Sequence, residues 1–441
     1  MTPDPTRLTS DPHRSTPGPH PARSVDRRQF IQASAVTLAA ATLTRPLTLF
    51  GASREEPIRV GLVGCGGRGT GAAVNALLAE EGAVLVAMGD AFSDRLESSL
   101  SHLQSSEVAS RVKVEPDHRF TGFDAYRDVI ARCDVVLLAT PPHFRPAHVE
   151  AAVEAGVHIF AEKPVATDAP GLRRCWAAVE RAKEKGLTLV SGLCYRYDAP
   201  KQETIGRIRA GDIGEIVALQ CTYNTGALWH HGRQPDWSDM EWQLRNWLYF
   251  NWLSGDHITE QSIHSIDKIL WAMDDVPPAK ATASGGRIVR TDPKYGNVFD
   301  HFNTVFEWEN GVRGFHSCRQ WSGADGEVSD YAFGTKGVAA IQHHRIDGVT
   351  SWRYRGKSGD MYVAEHEALF DSIRHQRARN DGDYMCKSTL MALMARMSAY
   401  TGKSITWEQA LHSEEDLTPP SYEWVALPIA PVAQPGRTPF V

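Results

Sequence analysis

Cysteine is scarce in this chain, and the cysteines that it has are not grouped. Seven of the 441 residues are cysteine. They are scattered without a CxxC pair, and their odd number argues against a complete disulfide framework. The same spacing lacks the ligand pairs of a structural zinc site. We therefore expect seven thiols packed in the core.

Long apolar runs and long runs of one charge are missing as well. The weakly apolar stretch at residues 33–43 is about half as long as a bilayer-spanning helix. A net charge of −6, spread without runs, offers no basic surface to nucleic acid. With 42% apolar and 23% charged residues, the composition is that of a soluble globular protein of roughly two domains. Small molecules are the expected partners.

The first 57 residues differ in composition from the rest. Residues 1–26 are rich in Pro, Ser, Arg and His, and Arg27 and Arg28 follow them. A polar segment, an arginine pair, a short apolar stretch and small residues, in this order, resemble a twin-arginine export signal. The resemblance implies that the twin-arginine machinery exports the folded protein, to the periplasm or an equivalent location, with no membrane span after processing. The alternative is a disordered tail with two chance arginines.

A glycine-rich turn follows the first strand pattern after this segment. The apolar run 58–63 leads into G-x-G-x-x-G at residues 64–69, where an alanine-rich helix pattern begins. Glycines in this order allow a tight turn and let backbone N–H groups approach a pyrophosphate. A second strand pattern ends near Asp90, at the distance expected for a carboxylate that holds an adenosine ribose. Because this carboxylate would repel a 2′-phosphate, NAD is favoured over NADP.

Strand and helix patterns alternate up to about residue 192. Apolar strands covered by helices on both faces form a parallel, doubly wound sheet, with ligands beyond the carboxyl ends of its strands. The segments ATPPH (139–143) and AEKP (161–164) fall at such ends. With the glycine turn and Asp90, they resemble the oxidoreductase family named for glucose-fructose oxidoreductase, inositol 2-dehydrogenase and the rhizopine protein MocA. The resemblance covers residues 58 to about 400.

This resemblance implies a Rossmann domain over residues 58–192 that binds NAD. In the family, the lysine of E-K-P lies beside the nicotinamide and the substrate hydroxyl, and here that lysine is Lys163. Taken alone, Glu162 and Lys163 are equally well explained as an exposed ion pair in a loop. Pro142 stands where the family usually has asparagine. The predicted cofactor-binding residues are Gly64, Cys65, Gly66, Gly67, Arg68, Gly69, Asp90, Thr140, Pro141, His143, Glu162 and Lys163.

After Gly192 the alternation ends, and turn-separated strand patterns predict an antiparallel sheet. The Asn310-Gly311 turn is one of these hairpin signals. One face of such a sheet packs on helices, and the other can face a partner subunit. We expect an α+β domain over residues 193–416 with a large, open, mainly antiparallel sheet, as in the family, and a homodimer or homotetramer. The proline-rich residues 417–441 are expected to form an extended tail.

The run SGDHITEQSIHSIDK (254–268) concentrates polar side chains. Its isoleucines are spaced for an amphipathic helix. The polar face of that helix would carry Asp256, His257, Glu260, Gln261, His264 and Asp267. A metal site made of His257, Glu260 and His264 is one interpretation, although the spacing is not a common ligand pattern. A solvated helix face is another, and we expect no metal.

The resemblance to the family favours a catalytic face. His264 matches a histidine of the family's substrate helix, and Glu260 stands where the family has an aspartate. Asp267 matches an aspartate that supports the helix. An imidazole that titrates near neutral pH can accept a hydroxyl proton, and a lysine ammonium can stabilise the resulting alkoxide. We assign His264 as the base, Lys163 as its electrostatic partner and Glu260 as a third catalytic residue, and the first two roles can be exchanged.

Tryptophan is concentrated in residues 229–252, which hold five of the twelve in the chain. Aromatic faces stack on the C–H faces of sugars, although core packing is the more frequent role of any single tryptophan. The predicted substrate contacts are Tyr195, Arg196, Trp247, Asp256, His257 and Gln261.

The resemblance and the signal together imply an exported, NAD-dependent oxidoreductase acting on a sugar, polyol or glycoside. No free nicotinamide pool exists outside the cytoplasm, so the cofactor is expected to stay bound and to be regenerated in place. Regeneration would use two coupled substrates, or a redox-neutral cycle that breaks a glycosidic bond. A dinucleotide-binding sensor without catalysis is a further alternative.

Overall fold

A computed structural model describes residues 56–441, and the predicted export signal lies outside them. The strands are β1 Ile58–Val63, β2 Ala83–Asp90, β3 Arg119–Thr121, β4 Val135–Leu138, β5 His158–Ala161, β6 Leu189–Ser191, β7 Ile216–Thr225, β8 Lys280–Gly286, β9 His301–Glu307, β10 Arg313–Gln320, β11 Glu327–Gly334, β12 Gly337–Ala340, β13 Arg345–Gly348, β14 Trp352–Arg353 and β15 Ile405–Thr406. The helices are α1 Gly67–Ala79, α2 Ser93–Gln104, α3 Ala125–Ile130, α4 Arg145–Ala155, α5 Ala169–Glu184, α6 Ala199–Arg209, α7 Asp239–Arg245, α8 Asn251–Ser254, α9 His257–Glu260, α10 Ile263–Ala272, α11 Met361–Arg374, α12 Gly382–Thr401 and α13 Trp407–His412. Within residues 56–441, none of the helices has the length and apolar character needed to cross a bilayer.

The first half of the described chain forms a six-stranded sheet. Its order is β3-β2-β1-β4-β5-β6, and all neighbouring strands are parallel. β1 and β4 are neighbours in the sheet but not in the sequence, so the chain connections diverge there and open a crevice at the carboxyl ends of the strands. This arrangement confirms the predicted doubly wound parallel sheet.

Burial explains the apolar character of these strands. Residues 60–63 of β1 and the whole of β4 are buried, as expected for a sheet that helices cover on both faces. All seven cysteines are buried and free, which confirms the predicted core thiols.

Steric contacts dictate two glycines in the turn between β1 and α1. Gly64 has a φ of +95°, and a Cβ on it would lie 2.6 Å from the backbone nitrogen of Thr140. A Cβ on Gly69 would lie 1.8 Å from the carbonyl oxygen of Gly64. A Cβ on Gly67 would have no atom within 4 Å. The fold therefore requires glycine at 64 and 69, while the space in front of Gly67 is open.

The second half forms a nine-stranded, mainly antiparallel sheet, as predicted. The order is β14-β13-β12-β11-β7-β10-β9-β8-β15. β7 and β10 are parallel, and the other neighbouring pairs are antiparallel. The predicted Asn310-Gly311 turn joins β9 to β10.

The run 254–268 is not one helix, contrary to the prediction. It is divided among the end of α8, the short α9 and the first part of α10. Gly255 and Asp256 have positive φ values, +70° and +69°, which end α8. Asp256 then caps α9, because its Oδ1 accepts the backbone N–H of His257 at 2.6 Å. Since the helix restarts twice, the polar residues of this run do not share one face.

Two late helices return to the first half of the chain. α11 packs against α1, and α12 packs against α5. After α11, the chain also extends the edge of the six-stranded sheet: Leu189 donates to the carbonyl of Arg379 at 2.8 Å and accepts from the N–H of Asp381 at 2.9 Å. The predicted division at residue 192 stays a prediction, because the later segment is packed on the earlier one.

Residues 417–441 contain no helix or strand, and they lie against other parts of the same chain. Leu427 is buried, its N–H donates to Asp239 at 3.1 Å, and its carbonyl accepts from Gln243 at 2.7 Å. Further on, the N–H of Gly436 donates to the carbonyl of Thr401 at 2.9 Å. These contacts anchor the tail on the second half of the chain.

The contacts of the glycine turn predict opposite results at two glycines. We expect Gly69→Ala to lower the free energy of unfolding by about 1–3 kcal/mol, because its methyl group would overlap the Gly64 carbonyl. Gly67→Ala is the matched control, and we expect it to change stability by less than about 1 kcal/mol. Denaturant unfolding of the purified variants measures both, and equal stability of the two would contradict this account of the turn.

Candidate active site

A cavity of about 640 Å³ lies in the crevice at the carboxyl ends of β1 and β4. Both halves of the chain contribute to its wall. The predicted cofactor residues on the wall are Gly64, Gly66, Gly67, Arg68, Gly69, Asp90, Thr140, Pro141, Glu162 and Lys163. Glu260 and His264 line the same cavity. Lys163, from the first half of the chain, therefore meets Glu260 and His264, from the second half, at one place.

The glycine turn fits a dinucleotide pyrophosphate. The first turn of α1 leaves the N–H groups of Gly67, Arg68 and Gly69 without intrahelical acceptors, and no side chain caps them at Gly66. The atom nearest to the Cβ position of Gly66 is Nη1 of Arg95, at 3.7 Å. Open space, free N–H groups and the positive end of a helix together favour an anion at this point.

Asp90 faces the same cavity from the end of β2. Its Oδ2 accepts the N–H of Cys65 at 2.6 Å, and its Oδ1 accepts the N–H of Phe92 at 2.9 Å. These contacts fix the carboxylate and leave lone pairs for ribose hydroxyls. Cys65 itself is buried away from the cavity wall. Its N–H serves Asp90, which corrects the prediction of a direct cofactor contact.

Lys163 is held at its backbone and at the tip of its side chain. Its Nζ donates to the carbonyl of Glu260 at 2.5 Å and lies 3.2 Å from Oε1 of the same residue. Its backbone N–H donates to Oε2 of Glu162 at 3.2 Å. The side chains of Lys163 and Glu260 are only 14% and 15% exposed, so water screens this pair weakly. Glu260 therefore pairs with the lysine, as a positioning group for its ammonium.

His264 is a neutral imidazole on the cavity wall. Its Nδ1 is buried and has no hydrogen-bond partner among residues 56–441. Burial and the positive charges of Lys163, Lys268 and Arg68 lower its pKa well below the usual value. The ring of Tyr195 packs edge-on at a centroid distance of 5.2 Å. A neutral imidazole in this position can accept the proton of a hydroxyl group.

The side chain of Arg68 is committed to two carboxylates. Its guanidinium bonds Glu162, and its Nη2 donates to Oε1 of Glu365 at 3.1 Å. The ring of Tyr362 lies 4.7 Å from the guanidinium carbon. Arg68 thus offers the cofactor its backbone N–H rather than its charge. Because Glu162 is buried and bonded to Arg68, the interpretation of Glu162 and Lys163 as an exposed ion pair is wrong.

Arg196, a predicted substrate contact, is a buried structural residue. Its Nη2 donates to Asp267 at 2.7 Å and to Asp275 at 2.6 Å. Asp267 also accepts from the hydroxyl of Ser388 at 2.7 Å, so it supports α10 as predicted. Arg196 does not line the cavity. The prediction is wrong because all of its charge is used inside the protein.

Asp256 and His257 are also structural and lie off the cavity wall. Oδ2 of Asp256 accepts the N–H of Phe299 at 2.7 Å and the hydroxyl of Tyr400 at 2.6 Å. Nδ1 of His257 lies 3.0 Å from Asp256, and its Nε2 lies 3.4 Å from the sulfur of Cys318. Both predicted substrate contacts are therefore wrong. In the described part of the chain, no three His, Cys, Asp or Glu side chains are grouped for a metal ion.

Of the other predicted substrate contacts, Trp247 lines the cavity and the remaining two do not. Tyr195 packs behind His264, so it contacts the base rather than the substrate space. Gln261 accepts from the amide of Gln320 and from the hydroxyl of Thr225. Its amide is engaged within the second domain, which corrects the prediction.

His143 lies behind the wall as well, although it was predicted to bind the cofactor. Its Nε2 lies 2.8 Å from the hydroxyl of Tyr422 in the tail. The ring packs edge-on against Trp252 at 5.0 Å, and burial lowers the pKa of His143 to about 4. This histidine therefore joins the tail to the ATPPH loop instead of contacting a cofactor.

The cavity wall also contains residues that were not predicted to belong to the site. Among them are Phe92, Arg95, Phe123, Tyr126, Phe144, Arg145, His148, Trp229, His231, Leu244 and Tyr362. Some of these had a signal in the sequence, since Phe92 and Arg95 stand within five residues after Asp90 and Trp229 belongs to the tryptophan-rich segment. Tyr362 had none, because α11 reaches the cavity only through its packing on α1.

Two distant parts of the chain close the cavity near Asp90. Arg245 contacts both carboxylate oxygens of Asp94 at 3.0 Å and lies 4.1 Å over the ring of Phe92. Trp424 of the tail packs on Phe92 and Phe123 at 5.3 and 4.8 Å. Phe92 and Phe123, which line this end of the cavity, are thus packed against Arg245 and Trp424.

Comparisons with known proteins agree with this geometry. A family model described as "Oxidoreductase family, NAD-binding Rossmann fold" matches residues 58–193, and the GFO/IDH/MocA C-terminal domain matches residues 202–340. The 2,7-anhydro-N-acetylneuraminate hydratase of Escherichia coli is 26% identical over 57% of this chain and 62% of its own length. Inositol 2-dehydrogenase 3 of Saccharopolyspora erythraea is 26% identical over 73% of this chain and 86% of its own. A glycosyl hydrolase family 109 protein of Shewanella amazonensis is 27% identical over 50% and 48%.

The chain thus spans less than two thirds of the hydratase and about half of the glycosyl hydrolase. Among solved structures, the WlbA dehydrogenase of Bordetella pertussis, in complex with NADH and UDP-GlcNAcA, has a TM-score of 0.61. It shares 21% identity over 80% of this chain and 99% of its own, a likeness of fold. With family models matching both halves, the chain belongs to the GFO/IDH/MocA oxidoreductase family and has its NAD-binding Rossmann domain.

Proposed function

We propose that this chain transfers a hydride between a hydroxyl-bearing carbon of a sugar, polyol or glycoside and a tightly held nicotinamide. The observation that carries the proposal is the position of Lys163 and His264 on the same cavity as the glycine turn. The relative named inositol 2-dehydrogenase 3, and the WlbA dehydrogenase in complex with NADH and UDP-GlcNAcA, support this class of substrate. NAD, when bound, supplies the hydride acceptor.

The protein's own groups handle the proton and the negative charge. The neutral His264 takes the hydroxyl proton, and the ammonium of Lys163 stabilises the charge that develops on the substrate oxygen. Glu260 keeps that ammonium in place through its carbonyl and its carboxylate. Because burial and the charge of Lys163 lower the pKa of His264, the imidazole gives the proton up easily.

Replacement of Lys163 tests the proposed chemistry directly. We expect Lys163→Met to lower kcat by roughly a hundredfold or more, because the developing charge loses its partner, while bound NAD is retained. Lys113→Met, at an exposed lysine that does not line the cavity, is the matched control. The assay is a panel of sugars and polyols followed through nicotinamide absorbance and product analysis. Unchanged turnover in Lys163→Met would instead favour a dinucleotide-binding sensor.

The depressed pKa of His264 predicts the acid side of the pH profile. A base acts in its neutral form, so a pKa below that of free imidazole, about 6.5, extends activity to lower pH. We expect kcat/KM to stay level from neutral pH down past that value before it falls. Stability measured over the same range controls for acid unfolding, and a decline centred near the free imidazole pKa would contradict the proposed role.

The names of two relatives favour a redox-neutral version of the reaction. A hydratase and a glycosyl hydrolase, as named, catalyse no net oxidation. In such a cycle, oxidation of a ring carbon would acidify the neighbouring C–H, and loss of that proton would expel the glycosidic oxygen as an alcohol. For net hydrolysis, water would add to the resulting enone before the ring carbon is reduced again. Product formation without a net change in nicotinamide absorbance would identify this version, whereas net oxidation would require a second substrate for regeneration.

Export and cofactor retention complete the proposal. The twin-arginine pattern at Arg27 and Arg28, which precedes the described residues, supports export of the folded chain. The contacts of Arg245 and Trp424 around Phe92 support slow release of the adenosine end. An exported enzyme needs such retention, because the medium does not replace a lost cofactor.

The expectation of a homodimer or homotetramer also stays a proposal. Val217 on β7 and Phe315 on β10 are exposed, at 54% and 47%. Apolar side chains on an open sheet are typical of a surface that a second subunit covers. Light scattering of the purified protein measures the assembly.

The aromatic cover predicts how tightly NAD is held. We expect purified protein to carry NAD, and Trp424→Ala to speed its release by about tenfold or more, because two aromatic contacts are lost. Ile429→Ala, a partly exposed position on the same tail, is the control. Release is followed by dilution and mass spectrometry of the free nucleotide. Protein isolated without nucleotide, or identical release from both variants, would contradict retention by the tail.

A further inference from the structure

Glu365, the second carboxylate on Arg68, has no part in the mechanism described above. It lies in α11, and its side chain is completely buried. Its Oε1 accepts from Arg68 at 3.1 Å, while its Oε2 has no hydrogen-bond partner in residues 56–441. A buried carboxyl group with one oxygen unsatisfied is costly. Its single strong contact is therefore the place to look for its role.

Arg68 connects Glu365 to the lysine of the site. The guanidinium also bonds Glu162, whose Oε2 accepts the backbone N–H of Lys163 at 3.2 Å. Glu162 is packed against Gly192: a Cβ atom added to Gly192 would lie 2.8 Å from Oε2 of Glu162. A continuous series of polar contacts thus runs from α11 to the backbone of the catalytic lysine.

A second contact seats α11 against the same strand. The ring of His366 lies 4.2 Å from the ring of Phe160 in β5, and both residues are buried. β5 ends at residue 161, directly before Glu162. Two consecutive residues of α11 therefore act on the strand that carries the E-K-P motif, one through packing and one through Arg68.

We propose that Glu365 is a positioning residue for Lys163. It anchors Arg68, Arg68 fixes Glu162, and Glu162 fixes the backbone from which the ammonium extends into the cavity. Glu260 holds the tip of the same side chain. This inference rests on the proposed function, because it assigns Lys163 a position that matters for hydride transfer.

Glu365 performs this role as a neutral carboxyl group. Burial and the nearby charge of Glu162 raise its pKa well above the usual value. Two ionised carboxylates on one guanidinium would also leave a buried charge without compensation. Glutamine is therefore the conservative replacement. Methionine has a similar size but cannot accept a strong hydrogen bond from Arg68.

The test compares Glu365→Met and Glu365→Gln in the full-length protein with its NAD. We expect Glu365→Met to lower kcat about ten- to a hundredfold, because the ammonium is displaced, with KM and NAD content nearly unchanged. Glu365→Gln should restore kcat to about the wild-type value. Glu367→Ala, at an exposed glutamate of the same helix, should change nothing. A glutamine variant as impaired as the methionine variant would overturn the proposal.

A readout independent of turnover is the acetylation rate of Lys163. The purified proteins are treated with acetic anhydride, and the peptide that contains Lys163 is quantified by mass spectrometry. We expect faster labelling in Glu365→Met than in wild type, Glu365→Gln or Glu367→Ala, since the side chain is less firmly held. Equal labelling in all four proteins would overturn the positioning role, even if kcat differed.

A double-mutant cycle tests the route through Arg68. Glu162→Gln and Glu365→Met weaken the same series of contacts, so we expect their combined loss of kcat to be no greater than the larger single loss. Multiplicative losses would overturn the route. Should Glu365→Met not fold, faster labelling of Lys163 in Glu162→Gln than in Glu367→Ala supports the series of contacts, and equal labelling overturns it.

The same measurements separate this inference from the proposed function. If Lys163→Met abolishes turnover while Glu365→Met matches wild type in kcat and labelling, the positioning role fails and the function stands. If no sugar or polyol is turned over but labelling still depends on Glu365, the function fails and the positioning role stands.

Discussion

The pairing of Lys163 with Glu260 is the contact on which the cavity depends. It joins the loop after β5 to α9, so it connects the two halves of the chain where the chemistry is proposed. A poorly solvated ammonium without acceptors is costly, whereas two acceptors on one residue satisfy it and orient it. Burial and then the charge of Lys163 lower the pKa of His264, so the contact also acts on the second polar group on the wall.

Features set by short-range patterns could be predicted from the sequence. β1 has the bounds of its predicted run, Ile58–Val63, because a strand covered on both faces is mostly apolar; Arg59 is the exposed exception near its start. Gly64 and Gly69 follow from contacts of their own turn with its surroundings. Lys163 and His264 were found through the resemblance of their motifs to a family rather than through periodicity, and both line the cavity.

Long-range contacts explain where the predictions failed. The positive φ of Asp256, which interrupts the expected helix, coincides with hydrogen bonds from Phe299 and Tyr400. Arg196 has its carboxylate partners on a different element. The sequence does not show which residue a polar side chain will pair with. Until the fold is known, such a residue can therefore be interpreted either as a substrate contact or as part of a buried ion pair.

The charges around the cavity explain why a weak base suits this site. Arg68 is paired with the carboxylate of Glu162 and hydrogen-bonded to the neutral carboxyl group of Glu365, and Lys163 is paired with Glu260, whereas no carboxylate bonds His264 in the described residues. An imidazole without an anionic partner and near several cations holds a proton only briefly. A cofactor that is regenerated in place requires proton transfer in both directions within one cycle. In the proposed reaction the same two residues serve oxidation and reduction, and a neutral imidazole of low pKa is suited to return the proton that it accepts.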